Sequence, residues 1–365
     1  MPFSKLSPND YFSIDRFSRE NAVLFKENWI FTGLVFPLKG RKHYGLSLGN
    51  VEILLQLDGY GKPRAFLNVC SHRQAQLCEP GLHEGPIRCP YHSWVYDQRG
   101  VPTGIPSKKC FPEVVANPEN YQLTEFHCET VGQFIFVRIS STGPDLRTYL
   151  GNEYSFLERI SHGMQGLLDE FIGDVDANWK ILIENSLEGY HVPSVHSRTF
   201  GSVAGMSDEA LAPEFYLDDP LHTYLEHAAD NEWLKRFSRT EQKIGKWPHR
   251  FEYYTHHFIF PNLTVTSFMG YSYHIQYFNP LSPLKTRVHS RTVGVDISDS
   301  TIFGKKLIDQ IHSDSNKFTR KVFNEDAEIC QKVQMGVNNA IRSAILGVEI
   351  EDRISHFQSA YMRKI

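Results

Sequence analysis

Residues 70–94 read CSHRQAQLCEPGLHEGPIRCPYHSW and hold three cysteines and three histidines among turn-forming and hydrophilic residues. Four of these six fall into tight pairs, Cys70-x-His72 and, sixteen residues further on, Cys89-x-x-His92. Two thiols and two imidazoles on two short loops are a metal-ligating set. A tetrahedral zinc accepts two of each. So does a [2Fe–2S] cluster in which two histidines replace two cysteines on one iron. The pairing favours the cluster: zinc fingers group Cys with Cys and His with His, whereas each loop here offers one of each. A two-iron object is reached by both loops, with Cys70 and Cys89 on one iron and His72 and His92 on the other. Cys78 and His83 lie between the loops and are read as structural, because the paired positions already complete the set.

Composition bounds the rest. A chain of 365 residues makes one large domain or two ordinary ones, and its net charge of −4 invites neither nucleic acid nor an anionic membrane. No apolar run is long enough to span a bilayer. The opening MPFSKLSPNDYFSIDRF has no apolar signal-peptide core. The six cysteines sit in a chain too long for a disulfide-stapled scaffold, which points to a reducing cytoplasm with thiols free for metal.

Along the chain, residues 13–29 space apolar side chains among charges as a surface helix does. From about 40 to 140 the runs VEILLQL, PRAFLNV, SWVYD and GQFIFVRI alternate with Gly, Pro and Asp turns, the texture of a small all-β domain. Helical texture follows, then long strands around the Pro261-Asn262 turn, then a helix from about 301 to 345. The expected organisation is α+β: residues 1–39 as an N-terminal helical segment on the larger domain, 40–145 as the β domain, and 146–365 as the larger domain.

A second constellation lies in DANWKILIENSLEGYHVPSVHSRTF, which contains Glu188-x-x-His191-x4-His196. Glu188 and His191 would share a helix face. His191 and His196 would diverge by about 140° on a regular helix, so Pro193 is expected to kink or end it and let the rings converge. Two histidines and one carboxylate make the facial set of non-haem Fe(II), with positions left open for dioxygen. In KFTRKVFNEDAEICQKVQMG, Phe318, Val322, Ile329 and Val333 form a helical stripe flanked by Glu325 and Asp326. Phe323 and Cys330 widen that stripe toward Asp326, making Asp326 the expected third ligand and Glu325 the reserve. Against this stands the bland reading of ordinary histidines in a chain that has seventeen of them.

The first stretch resembles the Rieske signature C-x-H-x(15–17)-C-x-x-H, with Ser93 where glycine usually follows the second histidine. Asn178-Trp179-Lys180, Glu184-Asn185, Glu188-x-Tyr190-His191 and Glu325-Asp326 ahead of Gln334-x-Gly336 resemble the catalytic domain of Rieske non-haem iron oxygenase α subunits. The resemblance implies an all-β Rieske domain inserted in a helix-grip-like α+β catalytic domain built on an antiparallel sheet. It implies one [2Fe–2S] cluster and one Fe(II) per subunit, and a homotrimer in which the cluster of one subunit faces the iron of the next. By position Glu188 would bridge His191 to His92 of the neighbour, and Asn185 would support the iron. Glu188, where many members carry Asp, resembles the branch that oxidises quaternary ammonium compounds.

Electrons would come from NAD(P)H through a separate ferredoxin and/or flavin reductase, since no Gly-rich dinucleotide fingerprint is present. Substrate and O₂ would meet at the iron, for hydroxylation or oxidative N-demethylation of an alkylammonium compound, or for oxygenation of an aromatic acid with Arg250 or Arg198 as anion partner. The family's pocket is lined by the long strands, which nominates Tyr254, Phe258, Phe268, Tyr271 and Tyr273 either as a cage for a methylated ammonium or as core. A Rieske electron carrier without oxygenase activity is the remaining alternative, and it would leave residues 145–365 without a task.

Overall fold

The run VEILLQL becomes strand β3 (Val51–Leu57), and its neighbours β2 (Lys42–Leu48), β4 (Pro63–Leu67) and β5 (Gly81–Glu84) follow from the same alternation of apolar runs and turns. The computed structural model describes residues 3–199, 214–228, 244–251, 253–298 and 300–365. Its contacts divide the chain into a smaller unit, Asn21–Tyr149, and a larger one, Met1–Glu20 with Leu150–Ile365. The divisions differ from the expected 39/40 and 145/146. The first moves because β1 (Ile30–Leu34) pairs antiparallel with β10 (Phe134–Arg138) and is therefore a strand of the smaller unit.

In the smaller unit, an antiparallel sheet runs β1-β10-β9-β4-β3-β2-β5, with β9 at Glu125–Val131. A second, three-stranded sheet of β6 (Ile87–Arg88), β7 (Val95–Tyr96) and β8 (Pro102–Gly104) carries the second loop of the 70–94 stretch. The two ends of the unit are tied together. Trp29 Nε1 donates to Pro144 O at 2.9 Å, and the Arg138 guanidinium lies 4.7 Å over the Trp29 ring while bonding Pro144 O. An inserted unit whose chain enters and leaves at one point can be added to a host fold without breaking it.

The larger unit is built on one antiparallel sheet in the order β11-β17-β16-β15-β14-β13-β12. Its strands are β11 (Met164–Val175), β12 (Glu214–Tyr216), β13 (Thr223–Ala228), β14 (Tyr253–Ile259), β15 (Leu263–Phe268), β16 (Ser272–Ser282) and β17 (Lys285–Val295). Alternation along the strands and two aromatic contacts identify the helix-covered face. Phe171 of β11 meets Phe323 on the long helix Ile302–Val337, and Phe258 of β14 meets Phe357 on the helix Asp352–Lys364. The long helix packs so closely on β11 that a Cβ at Gly173 would stand 2.6 Å from the Phe323 ring.

That helix is rotated relative to the expected stripe. Val333 is 43 % exposed, whereas Cys330 and Gln334 are buried. The inward line runs Phe323, Asp326, Cys330, Gln334, which turns Asp326 toward the interior. Among the described residues, no helix is long and apolar enough to cross a membrane.

The helix Trp179–Ser186 is anchored by a buried ionic cluster. Lys180 Nζ, fully buried, bonds Glu20 Oε1 at 2.5 Å. Glu20 also accepts from Trp179 Nε1 at 2.9 Å and Tyr361 OH at 2.6 Å. Burial depresses the Lys180 ammonium and Glu20 opposes that shift. Removing one partner of such a pair leaves an uncompensated buried charge. Lys180→Met should therefore lose about 3–5 kcal/mol in urea unfolding; an unchanged midpoint would show that the pair does not hold this helix.

Candidate metal centres

The two loops of the 70–94 stretch are closed in the same way. Cys70 N–H donates to Ala75 O and Gln74 N–H to Cys70 O, at 2.8 and 2.9 Å; Cys89 N–H donates to Trp94 O and Ser93 N–H to Cys89 O, at 2.8 and 3.0 Å. In both loops the fourth residue after the cysteine has positive φ, 58° at Gln74 and 59° at Ser93. This is the left-handed region that disfavours residues with a Cβ, and it explains why glycine suits the position after the second histidine. Each loop buries its thiol and leaves its imidazole half-buried. His72 and His92 come within 4.7 Å, ring centre to ring centre, and His72 stacks on Trp94 at 4.8 Å.

Both imidazoles have a buried Nδ1 without a hydrogen-bond partner. Buried polar atoms are rarely left so unless they serve an ion. Burial raises the Cys70 thiol, while Tyr96 OH, 3.1 Å from its Sγ, favours the thiolate; a metal would complete the deprotonation. Tyr96 also accepts Ser71 N–H at 3.0 Å. Sequence reading did not single it out, although a tyrosine two residues after the buried Trp94 needs a polar partner. Among the described residues, only His191, His196 and Asp326 bring three ligating atoms within 4.8 Å of one another. One thiol and one imidazole from each loop is a donor set that fits a two-iron cluster. Cys78 Sγ–H is engaged by Asn68 Oδ1 at 3.6 Å, and His83 Nε2 lies 2.8 Å from Glu79 O.

The second centre forms where the helix Trp179–Ser186 ends. Glu188 and His191 lie in the turn after it rather than on a helix face, and Pro193 starts the short helix Val192–Val195 instead of breaking a longer one. Glu188 holds the turn by accepting His191 N–H at 3.1 Å and His191 Nδ1–H at 2.5 Å. His196 donates Nδ1–H to Glu325 Oε2 at 2.7 Å, and Thr199 Oγ1 donates to the same oxygen at 2.8 Å. Both rings thus turn an Nε2 lone pair inward.

The Nε2 atoms stand 3.2 Å apart, with Asp326 Oδ1 at 3.5 Å from His191 and 3.0 Å from His196. Three cis ligating atoms at ~2.1 Å from one metal stand ~3.0 Å apart, so the set fits a single first-row ion bound on one face. Asn185 Nδ2 donates to Asp326 Oδ1 at 2.9 Å. Asp326 Oδ1 therefore completes the group with the two Nε2 atoms, and Glu325 stands behind His196, a role that spacing alone does not show.

Burial opposes charge on His191, but hydrogen bonds to Asp326 and Glu188 outweigh it and lift the imidazole to about 9. Burial likewise opposes ionisation of Asp326, and the two histidines outweigh it, holding the carboxyl at about 2. The nominated aromatics part company. Tyr254 and Phe258 share the helix-covered face, but Phe258 is fully buried against Phe357 and is core. Tyr271 packs on Trp247 and His312, and Tyr273 points to the opposite face. The Phe268 side chain lies outside the described residues. Arg198 and Arg250 are exposed.

Comparisons agree with this architecture. The family described as ring hydroxylating alpha subunit (catalytic domain) matches residues 156–365, and the Rieske [2Fe-2S] domain matches residues 28–123. The chain belongs to the ring-hydroxylating α-subunit family and is a Rieske-type non-haem iron oxygenase, with a [2Fe–2S] cluster and a mononuclear iron. It is 28 % identical over 352 residues to chloroplastic choline monooxygenase of Spinacia oleracea, covering 93 % of this chain and 74 % of that one. It is 31 % identical over 216 residues to the large oxygenase component of the naphthalene 1,2-dioxygenase system of Pseudomonas putida, 54 % of this chain and 47 % of that one. In fold it is similar to the quaternary ammonium Rieske monooxygenase CntA in complex with L-carnitine, at 19 % identity and TM-score 0.75, covering all of this chain and 95 % of that one.

Two outcomes follow. Iron uptake must displace protons from His191 and His196, both raised, so iron affinity should climb at least roughly tenfold per pH unit up to about pH 9 and level off above it. In the metal-free protein, the stability gained from the raised His191 pKa is present below the ordinary histidine pKa and is lost as pH rises through about 9. Titration of apo protein with Fe(II) under argon reads the first and urea unfolding of apo protein across pH the second, and a flat affinity profile would contradict the pairing. Separately, Ser93→Gly should raise unfolding stability by roughly 0.5–1 kcal/mol by relieving the left-handed backbone; a loss in urea unfolding would contradict that strain.

Proposed function

We propose that this chain is the terminal oxygenase component for a small quaternary or alkylammonium compound, which it hydroxylates or oxidatively N-demethylates with O₂. The observation that carries the oxygenase chemistry is the convergence of His191 Nε2, His196 Nε2 and Asp326 Oδ1 with Glu188 behind His191. Similarity over 93 % of the chain to choline monooxygenase supports the ammonium class. When bound, the cluster supplies single electrons and the mononuclear iron supplies dioxygen activation.

In this reading Cys70, Cys89, His72 and His92 hold the cluster, and His191, His196 and Asp326 hold the iron. Asn185 keeps Asp326 aimed inward. Glu188 and Glu325 fix the imidazole tautomers, the kind of support that tunes a metal through its ligands. The functional form is a homotrimer in which Glu188 joins His191 to His92 of a neighbouring copy. Electrons originate from NAD(P)H through a ferredoxin and/or flavin reductase. Six cysteines, none in a disulfide, suit the cytoplasm.

Two measurements test the reading. Glu188→Gln should leave cluster reduction by dithionite intact and lower product formation in single turnover by roughly 10–100-fold; normal turnover would remove Glu188 from the electron route. Across a panel of trimethylammonium compounds and aromatic acids, product formed per O₂ consumed should approach one for ammonium compounds. Coupled turnover of aromatics alone would overturn the ammonium class in favour of an aromatic-ring oxygenase.

A further inference from the structure

We infer that the polar strip on the helix-covered sheet face is a carboxylate-recognition subsite, in which His256 Nε2–H meets the anionic end of the substrate and Arg353 is the positioning residue behind it. The inference rests on the proposed function in taking a small organic substrate at this unit, and it adds what that substrate carries besides an ammonium group.

Register puts Thr223, Tyr254, His256, Thr266, His274 and Ser290 on this one face. Residues beneath covering helices should be sealed. On β16, however, Ser272, His274 and Gln276 of the covered face keep accessible surface, while Tyr273, Ile275 and Tyr277 of the other face are buried. The helices therefore leave room over Ser272, His274 and Gln276, next to Tyr271, on which His312 of the long helix stacks.

Arg353 enters this layer from the helix Asp352–Lys364 with no exposed surface. Its Nε donates to Thr223 Oγ1 at 3.1 Å, and one Nη donates to His256 Nδ1 at 3.1 Å and to His256 O at 3.3 Å. No carboxylate is among its hydrogen-bond partners, and Nη1 is buried without any partner. A guanidinium only donates, so His256 Nδ1 must accept and the ring proton must sit on Nε2. No hydrogen bond to that Nε2–H is found among the described residues.

The acid whose charge reaches Arg353 is Glu153, which is engaged by His257 Nδ1 at 2.8 Å on the opposite face of the sheet. Burial, and then Arg353, push His256 well below the ordinary histidine range, and burial pushes His274 down to about 4, so both rings are neutral. Among the described residues of this face from β13 to β17 none is acidic, and Asp169 on β11 is engaged by Arg320 at 2.7 Å. A bare ammonium finds no counter-charge on this strip. A carboxylate finds a fixed donor backed by a buried guanidinium, the arrangement that rejects a ligand lacking the matching group.

The test is calorimetric binding to the iron-loaded, oxygen-free holoenzyme of two pairs that differ chiefly in the carboxylate: glycine betaine against choline, and benzoate against benzyl alcohol. In at least one pair the acid should bind roughly tenfold tighter than the alcohol. The gap should close in His256→Leu and survive in His256→Gln, which keeps an N–H. Circular dichroism and thermal melting confirm that each variant is folded. Alcohols binding as tightly as acids, or a gap that persists in His256→Leu, would overturn the inference. Preference for benzoate alone would sink the ammonium class and leave this subsite standing. Choline binding tighter than glycine betaine, with no gap for benzoate, would do the reverse.

Discussion

A carboxylate stands behind each of the two imidazoles of the mononuclear centre, and much of the larger unit is arranged to keep it there. Glu188 takes the rear proton of His191 and Glu325 that of His196, so each ring offers its other nitrogen to one small volume. The constraint couples parts far apart in sequence. Glu325 and Asp326 sit on the long helix, and Thr199 fastens the histidine loop to Glu325. Gln334, two turns beyond Asp326, accepts Asn178 N–H at 2.7 Å, and the Asn178 side chain caps the helix that delivers Asn185 to Asp326. One helix thus sets the carboxylate ligand, the rear partner of a histidine and the start of the opposing helix. A shift of about 1 Å in its seating would disturb all three.

The smaller unit answers a different demand, holding two buried thiols and two neighbouring imidazoles on loops rather than within a strand or helix. Two loops closed by equivalent backbone hydrogen bonds do this, each with a residue in the left-handed region. Ser93 accepts a backbone conformation that glycine would take without strain, so the loop is imposed by the site rather than by local preference.

Much of this is legible in the sequence where chemistry is encoded by local spacing. The Cys-x-His and Cys-x-x-His pairs sit within single loops, so their proximity needs no tertiary knowledge. Asp326 is legible from the apolar widening of its helix toward Phe323 and Cys330. The role of Glu325 is not, because it depends on a loop more than a hundred residues away. Nor is the choice among aromatic residues of the long strands. Phe258, Tyr271 and Tyr273 all look alike until register decides which face each takes and what lies above it. Arg353 escapes for the same reason: a basic residue in an amphipathic C-terminal helix reads as surface until its burial beside His256 is seen.

Iron and acid-labile sulfide per chain, counted on protein purified without oxygen alongside its Asp326→Ala and His92→Ala variants, test the central assignment most directly. The account predicts about three irons and two sulfides in the unaltered protein, about two of each in Asp326→Ala, and loss of the sulfide in His92→Ala. One zinc without sulfide, or an Asp326→Ala variant that keeps its full iron, would contradict it.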